Sequence, residues 1–140
     1  MITALVVVVL VGLAVALVVA VALDHGPSPA DVAVSYELAR DRHDAQSLWA
    51  ASAATLRAGR HRHDFVAETD RELAGAPQGL VREVVVEDEY AGVSDASVLT
   101  RVVRRDGTTS QRRTRCTQER GSWRVSAVTV APDPGAPSRS

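Results

Sequence analysis

Three patterns of hydrophobic and polar positions follow one another along the chain, and the first is an unbroken apolar segment. Residues Ile2–Leu23 carry no charge, and a helix of that length would span ~33 Å, close to the ~30 Å hydrocarbon core of a bilayer. The pattern predicts a transmembrane helix over residues 1–23. A cleaved signal peptide is the alternative, because Ala20–Ala22 fits the small-x-small cleavage pattern. However, the segment lacks a positive n-region and exceeds the usual h-region length.

Small residues recur within this segment at four-residue spacing, at Gly12, Ala16 and Ala20, so they share one helix face. Small residues let two membrane helices approach closely, which makes this face a candidate dimer contact; chance is the alternative in a segment so rich in Ala. No Lys or Arg precedes Arg40, so the positive-inside rule has little to act on. The cleavage-like alanines and the following Asp24 favour an extracytoplasmic C-terminal domain.

Helical periodicity is the second pattern, and it follows a short linker at residues 24–28 that contains a helix-breaking Gly-Pro pair. Ser28 is placed to cap a new helix, with Pro29 at its first position and Asp31 at its third. Two further helices are predicted: one is capped by Asp44, continues through Leu56 and ends at Gly59, and the other covers about His63–Leu73.

Strand-like alternation is the third pattern and fills the rest of the chain. Four strands are predicted, at Leu80–Tyr90, Ser97–Arg105, Thr108–Gln118 and Trp123–Val130. Their short connections imply antiparallel pairing. The order of elements predicts one α+β domain over residues 29–130, with three helices packed on a curved antiparallel sheet. The Pro-rich residues 131–140 are typical of a disordered tail.

Composition excludes several classes of protein. The 16 basic residues, all Arg, and 17 acidic residues give a net charge of −1, so the chain lacks the basic excess of an obvious nucleic-acid binder. Cys116 is the single cysteine, which excludes an intrachain disulfide and a cysteine-based zinc site. The cluster His61-Arg62-His63-Asp64 holds metal-ligating residue types, and His43 is a candidate third ligand, but nothing in the pattern places His43 near it, so the cluster is more typical of a solvated helix start. We therefore predict no metal site and no cofactor.

Four short motifs, taken in order, resemble the superfamily of ketosteroid isomerase and nuclear transport factor 2. They are Pro29-Ala30-Asp31-x-Ala33-x-x-Tyr36-x-x-Ala39, Asp44 followed by Leu48-Trp49, Leu56-Arg57-x-Gly59 before Phe65-Val66, and Gly121-x-Trp123-Arg124-Val125. The resemblance covers roughly residues 29–130 and implies a cone-shaped fold of helices on a curved sheet. It is closest to bacterial membrane-anchored members of unknown function.

That superfamily contains isomerases, dehydratases, polyketide cyclases and non-catalytic scaffolds, so the resemblance alone does not decide the function. An isomerase-type site needs a carboxylate base and acidic hydroxyl donors inside an apolar cone. Tyr36 offers one hydroxyl, but no paired acidic residues stand at strand positions that clearly point inward, so we assign no catalytic residue. The aromatic residues are either core residues or ligand contacts inside the cone: Tyr36, Trp49, Phe65 and Trp123.

Charge is unevenly distributed along the domain. Residues 64–95 hold nine acidic residues and two Arg (net −7), whereas residues 98–124 hold eight Arg and two acidic residues (net +6). One interpretation is a surface for an anionic partner, formed by Arg101, Arg104, Arg112, Arg113 and Arg115. The other is cross-strand pairing of these residues with Glu83, Glu87 and Glu89, placed on one strand face.

The sequence therefore favours a membrane-anchored, non-catalytic binding or interaction module. Its expected partner is an envelope protein, or a second copy of the chain, since the resemblance implies dimerisation through the open sheet face. Two alternatives stay open. One is a small-molecule binder or isomerase-like or cyclase-like enzyme that uses the cone interior; the other is an anionic-lipid surface on the Arg-rich strands. The lining of the interior distinguishes the first alternative, because convergent carboxyl or hydroxyl groups favour an enzyme and a filled apolar cone favours a scaffold.

Overall fold

The computed structural model describes residues 2–23 and 26–131, and within the first range the side chains at 6–17. Helix α1 spans Ile2–Leu23. Among the described residues, no helix combines the length and the apolar character that crossing a membrane requires. The side chain of Ala20 and the predicted tail from residue 132 onward lie outside the described residues.

Four antiparallel strands form one sheet in the order in which they occur along the chain. They are β1 (Val81–Ala91), β2 (Asp95–Arg104), β3 (Thr109–Glu119) and β4 (Ser122–Val130). Gly107 and Gly121 adopt positive φ angles of 87° and 77° in the two tight turns, a conformation that glycine accepts without strain. The predicted α+β class and the four antiparallel strands are confirmed.

Four helices lie between α1 and the sheet: α2 (Pro29–Asp41), α3 (Ala45–Ala51), α4 (Ala54–Arg57) and α5 (Arg62–Leu73). The predicted start of α2 is confirmed: the Ser28 hydroxyl accepts a hydrogen bond from the Asp31 amide at 3.1 Å, and the Asp31 carboxylate accepts one from the Ser28 amide at 3.1 Å. Asp44 caps α3 in the same manner through the Ser47 amide.

The prediction of three helices in this domain is wrong, because the second one is broken in two. Ser52 and Ala53 leave the helical conformation and extend along the free edge of β4, where the Ala53 amide donates a hydrogen bond to the Val125 carbonyl at 2.7 Å. This pairing covers an edge that would otherwise expose its backbone groups. The pattern around Leu56 therefore belongs to a separate short helix, α4.

The two sides of the sheet have different surroundings. Side chains from alternate positions of β2 and β3 point towards α2 and are buried, and we call this the helix-facing side: Val98, Thr100, Val102, Thr114 and Cys116. Intervening positions lie on the other side, which we call the open side, and include exposed Arg101, Arg113 and Arg115. The period-2 alternation of strands produces this separation.

The prediction that Glu83, Glu87 and Glu89 share one face of β1 is wrong. The register of β1 against β2 shifts between Val86 and Asp88, so Glu89 pairs with the buried Val98 and lies on the helix-facing side. Its carboxylate accepts a hydrogen bond from the Ala30 amide at 3.3 Å, in the first turn of α2. A negative charge is favourable there because it faces the positive end of the helix dipole. Glu87 stays on the open side, 3.1 Å from Arg101.

Candidate functional site

A cavity of about 470 Å³ lies between α2, α5 and the helix-facing side of the sheet. Its floor includes the buried side chains of Leu48, Phe65 and Val102, and its mouth includes exposed Arg40 and Leu80. The volume falls within the ~300–1,000 Å³ usual for small-molecule sites. The helix-facing side is therefore not completely filled by the protein's own core.

Glu37 brings a carboxylate into this cavity. It lies one helical turn after Ala33 on α2, so both point to the sheet, and Glu37 is only 3% exposed. The Oε2 atom lies 3.4 Å from Nε of Arg112, a cavity-lining residue of β3. Within the described part of the chain, the Oε1 atom of Glu37 and the Nε atom of Arg112 are buried without a hydrogen-bond partner. The contact is thus an ion pair whose hydrogen bonds are incomplete.

The charge on Glu37 is set by two opposing effects. Burial raises the pKa of the Glu37 carboxyl because it removes water from the charged form, and the guanidinium groups of Arg112, Arg40 and Arg104 act in the opposite direction. Burial is the larger effect, so the pKa stays above its ordinary value. The three arginines come from α2, β2 and β3, and all of them line the cavity.

Tyr36 and His43 add a hydroxyl and an imidazole to the cavity wall. Burial raises the pKa of the Tyr36 hydroxyl, so it remains protonated and can donate a hydrogen bond. His43 stands at a φ of 56°, in the left-handed region, and its buried Nε2 atom has no hydrogen-bond partner among the described residues. Among the described side chains, no hydrogen bond joins Tyr36, Glu37 and His43 to one another.

The four aromatic residues predicted as ligand contacts are divided by the fold. Tyr36 and Phe65 line the cavity, and Trp49 and Trp123 do not. Trp49 packs edge-on against Phe65, with ring centroids 5.3 Å apart, and the Arg57 guanidinium lies 3.9 Å from the Trp49 ring centroid. Trp123 packs on the core cluster that contains Val125. Trp49 therefore packs behind the cavity-lining ring of Phe65 and does not itself line the cavity.

The five predicted arginines do not form one surface. Arg104 and Arg112 lie on the helix-facing side and line the cavity, whereas Arg101, Arg113 and Arg115 lie on the open side. Cross-strand pairing is observed for Arg101, which contacts Glu87. Arg113 donates to the Ser97 hydroxyl at 3.2 Å.

Sequence reasoning missed Glu37 and Arg40, and it considered His43 only as a third metal ligand for the cluster at residues 61–64. A signal for Glu37 was present, since it shares the buried face of α2 with Ala33 at four-residue spacing and is the charged residue on that stripe. His43 had no comparable signal, because its direction depends on the turn between α2 and α3. Among the described residues, no group of three or more His, Cys, Asp or Glu could hold a metal ion.

Comparison with known proteins assigns the class of fold. A candidate NTF2-like transpeptidase from Campylobacter jejuni matches 71% of this chain and 97% of its own, with a TM-score of 0.53 and 13% identity. An NTF-2-like protein of unknown function from Silicibacter pomeroyi covers 71% of this chain and 90% of its own, with 14% identity and a TM-score of 0.49. The fold assignment rests on the first of these. No family model matches the chain, and no curated protein matches it.

The chain therefore has an NTF2-like fold, in agreement with the resemblance found in its sequence. At these identities the likeness concerns the fold alone, and function has to be argued from the cavity.

Proposed function

We propose that this protein is a membrane-anchored, non-catalytic binding module that takes a small molecule into the cavity beneath its sheet. The observation that carries the proposal is the cavity of about 470 Å³ whose wall includes the buried Glu37–Arg112 pair with incomplete hydrogen bonds. A scaffold that bound only through its surface would have no need for a polar pair in an open interior, since an apolar filling is generally at least as stable.

Binding is favoured over catalysis by the state of Glu37. Its carboxylate lies against Arg112, and no described side chain links it to Tyr36 or His43 through a hydrogen bond. An isomerase-like or cyclase-like enzyme is the second candidate, because burial raises the pKa of Glu37 and Tyr36 places a hydroxyl at the same cavity. Proton exchange from a bound ketone in deuterated water, lost in Glu37→Gln, would favour the enzyme.

The anchor is proposed from the sequence of α1. Residues Ile2–Leu23 contain no charged side chain, and a chain in lipid satisfies its backbone groups by forming a helix. Gly12, Ala16 and Ala20 provide the proposed contact between two such helices. The domain is proposed to lie outside the cytoplasm.

The open side of the sheet is the proposed contact for a protein partner, either an envelope protein or a second copy. Acidic Glu83 and Glu87 of β1 and basic Arg113 and Arg115 of β3 lie at different positions across this side, so a second copy in the opposite orientation would meet opposite charges. Arg113→Glu combined with Arg115→Glu should shift a dimer to monomer in sedimentation. An unchanged sedimentation coefficient would contradict this contact.

A pair of variants on α5 tests the cavity as a binding site. Thr69 lines the cavity, and the next residue, Asp70, is exposed to solvent. Thr69→Trp should fill the cavity, whereas Asp70→Trp adds the same side chain to the surface. With the full-length protein in detergent micelles, calorimetry should show that 2-naphthamide binds the wild type and Asp70→Trp, and that Thr69→Trp binds it at least about 10-fold more weakly. Equal affinities in all three proteins would overturn the proposal.

A further inference from the structure

The cavity holds more positive than negative charge around Glu37. Arg40, Arg104 and Arg112 act electrostatically on this one carboxylate. Of the other carboxylates at the cavity, Asp41 is engaged elsewhere, because its Oδ1 accepts hydrogen bonds from the Leu80 and Val81 amides at 2.9 and 3.2 Å. Glu72 lies exposed at the mouth. Near the cavity floor, the positive charge of the guanidinium groups therefore exceeds the negative charge of Glu37.

Arg112 is the arginine best placed to receive an anion. Its side chain is 18% exposed, and it contacts Glu37 through Nε alone. Within the described part of the chain, neither of its terminal nitrogens donates a hydrogen bond, whereas Arg104 donates through Nη2 to the Ser110 hydroxyl at 3.0 Å. The planar edge formed by the two terminal nitrogens of a guanidinium matches a carboxylate or phosphate.

Glu37 offers the complementary atom. Its buried Oε1 lacks a hydrogen-bond partner among the described residues, and leaving such an atom unsatisfied is destabilising. A hydroxyl, amide or ammonium group on the ligand, adjacent to its anionic group, would donate to this oxygen.

The remaining wall is apolar. Phe65 and Leu48 are buried at the floor, and Leu56 and Leu73 flank them. Trp49 holds the Phe65 ring in place by edge-on packing. The wall therefore suits a ligand that carries, next to its anionic group, an apolar part the size of a ring or a short chain.

We propose that the ligand of this cavity is an amphipathic organic anion whose carboxylate or phosphate is bound by Arg112 and Arg104 and whose apolar body lies on Phe65. A donor group next to the anion would meet Oε1 of Glu37. This inference rests on the proposed function and adds the chemical class of the ligand.

Three probes with the same apolar body test the inference: 2-naphthoate, 2-naphthyl phosphate and the neutral 2-naphthamide. Their affinities are measured by calorimetry with the full-length protein in detergent micelles, with empty micelles subtracted. At least one anion should bind ~10-fold or more tightly than the amide, because hydrogen bonds between a guanidinium and an anion are stronger than those to a neutral group. The preference between the two anions identifies carboxylate or phosphate as the ligand group.

Substitutions of single arginines inside and outside the cavity locate the effect. Arg112→Gln should reduce the affinity for the preferred anion by about 10-fold and leave that for the amide unchanged. Arg120→Gln is the control, because Arg120 is an exposed arginine of the turn after β3 that does not line the cavity, and it should change neither affinity. If Arg112→Gln loses its native near-ultraviolet circular dichroism, Arg104→Gln takes its place with the same expectation.

Each outcome has a separate meaning. Equal affinities for anions and amide in the wild type would overturn the inference while leaving a binding cavity in place. An anion preference that persists in both Arg112→Gln and Arg104→Gln would also overturn it. If none of the three probes binds, both the inference and the proposed function fail.

Discussion

At the scale of single residues, burial makes the negative charge on Glu37 costly. Burial raises the pKa of its carboxyl, and Arg112, Arg40 and Arg104 offset this only in part. The folded state thus holds the proton more tightly than the unfolded chain, so the free energy of unfolding falls as pH rises from the unfolded pKa through the folded one. We expect Glu37→Gln, which mimics the neutral carboxyl, to raise the free energy of unfolding at pH 7 and to remove this part of its pH dependence.

Urea denaturation of both proteins between about pH 4 and pH 8 measures this effect. Glu72→Gln is the control, since Glu72 is an exposed residue of the same cavity, and it should leave the pH profile close to that of the wild type. A lower free energy of unfolding for Glu37→Gln at pH 7 would show instead that its ion pair with Arg112 is the dominant effect.

At the same scale, burial suppresses the reactivity of the Cys116 thiol. It is 1% exposed, and burial, with a smaller contribution from Glu89, raises the pKa of the thiol to about 11. Because the thiolate is the reactive form, iodoacetamide should leave the native protein unmodified at pH 8 and should modify it fully in urea. Mass spectrometry gives the result, and rapid labelling of the native protein would contradict the burial of Cys116.

At the scale of secondary-structure elements, Asp44 determines where α3 begins. Its carboxylate accepts hydrogen bonds from the Ser47 amide at 3.1 Å and hydroxyl at 2.6 Å, and these bonds lower the pKa of Asp44. Asp44→Ala should lower the free energy of unfolding by about 1 kcal/mol, which corresponds to a decrease in Tm of about 4–8 °C for a domain of this size. Asp44→Asn retains a capping oxygen and should change stability by only a few tenths of a kcal/mol.

Calorimetric melting at pH 7 compares the two variants with the wild type. A decrease of equal size for alanine and asparagine would assign the effect to the charge of Asp44 and would contradict the capping explanation.

Local signals in the sequence predicted the elements well, and non-local contacts account for the errors. Ser28, Asp44 and Gly107 act within their own turn, so their roles were visible from the chain alone. The break at Ser52 was not visible, because it depends on pairing with Val125 in a strand 73 residues later. The side on which Glu89 lies depends likewise on a register shift against β2.

The candidate site was predicted less completely for a related reason. Tyr36 and Phe65 stood out as aromatic residues, and both line the cavity. Arg112 was predicted as part of one arginine surface, but strand alternation places it on the opposite side of the sheet from Arg113. Arg112 contacts Glu37 although the two are 75 residues apart in the sequence, and the local pattern around neither residue indicates this contact.

At the scale of the whole molecule, the proposed membrane anchor would make the partners of the domain depend on the side of the membrane on which it lies. The chain has no Lys or Arg before Arg40, so the positive-inside rule gives little guidance, and we propose the extracytoplasmic side. Reporters active only outside or only inside the cytoplasm, each fused after Ser140, measure this directly. We expect activity from the outside reporter, together with retention of the protein in membranes after extraction at high pH.

A variant of α1 provides the matched control for that experiment. Val9→Arg combined with Leu13→Arg places two charges in the middle of the apolar segment, and each charge there costs ~2.5–3.5 kcal/mol on insertion. The variant should lose both the outside signal and membrane retention, because the segment then no longer partitions into lipid.

Activity of the inside reporter with the unaltered chain would overturn the proposed orientation and direct attention to Arg101, Arg113 and Arg115, whose exposed side chains would then face an anionic leaflet. Release of the unaltered chain at high pH would overturn the anchor itself, while the cavity and its proposed ligand would still stand on the contacts of Glu37 and Arg112.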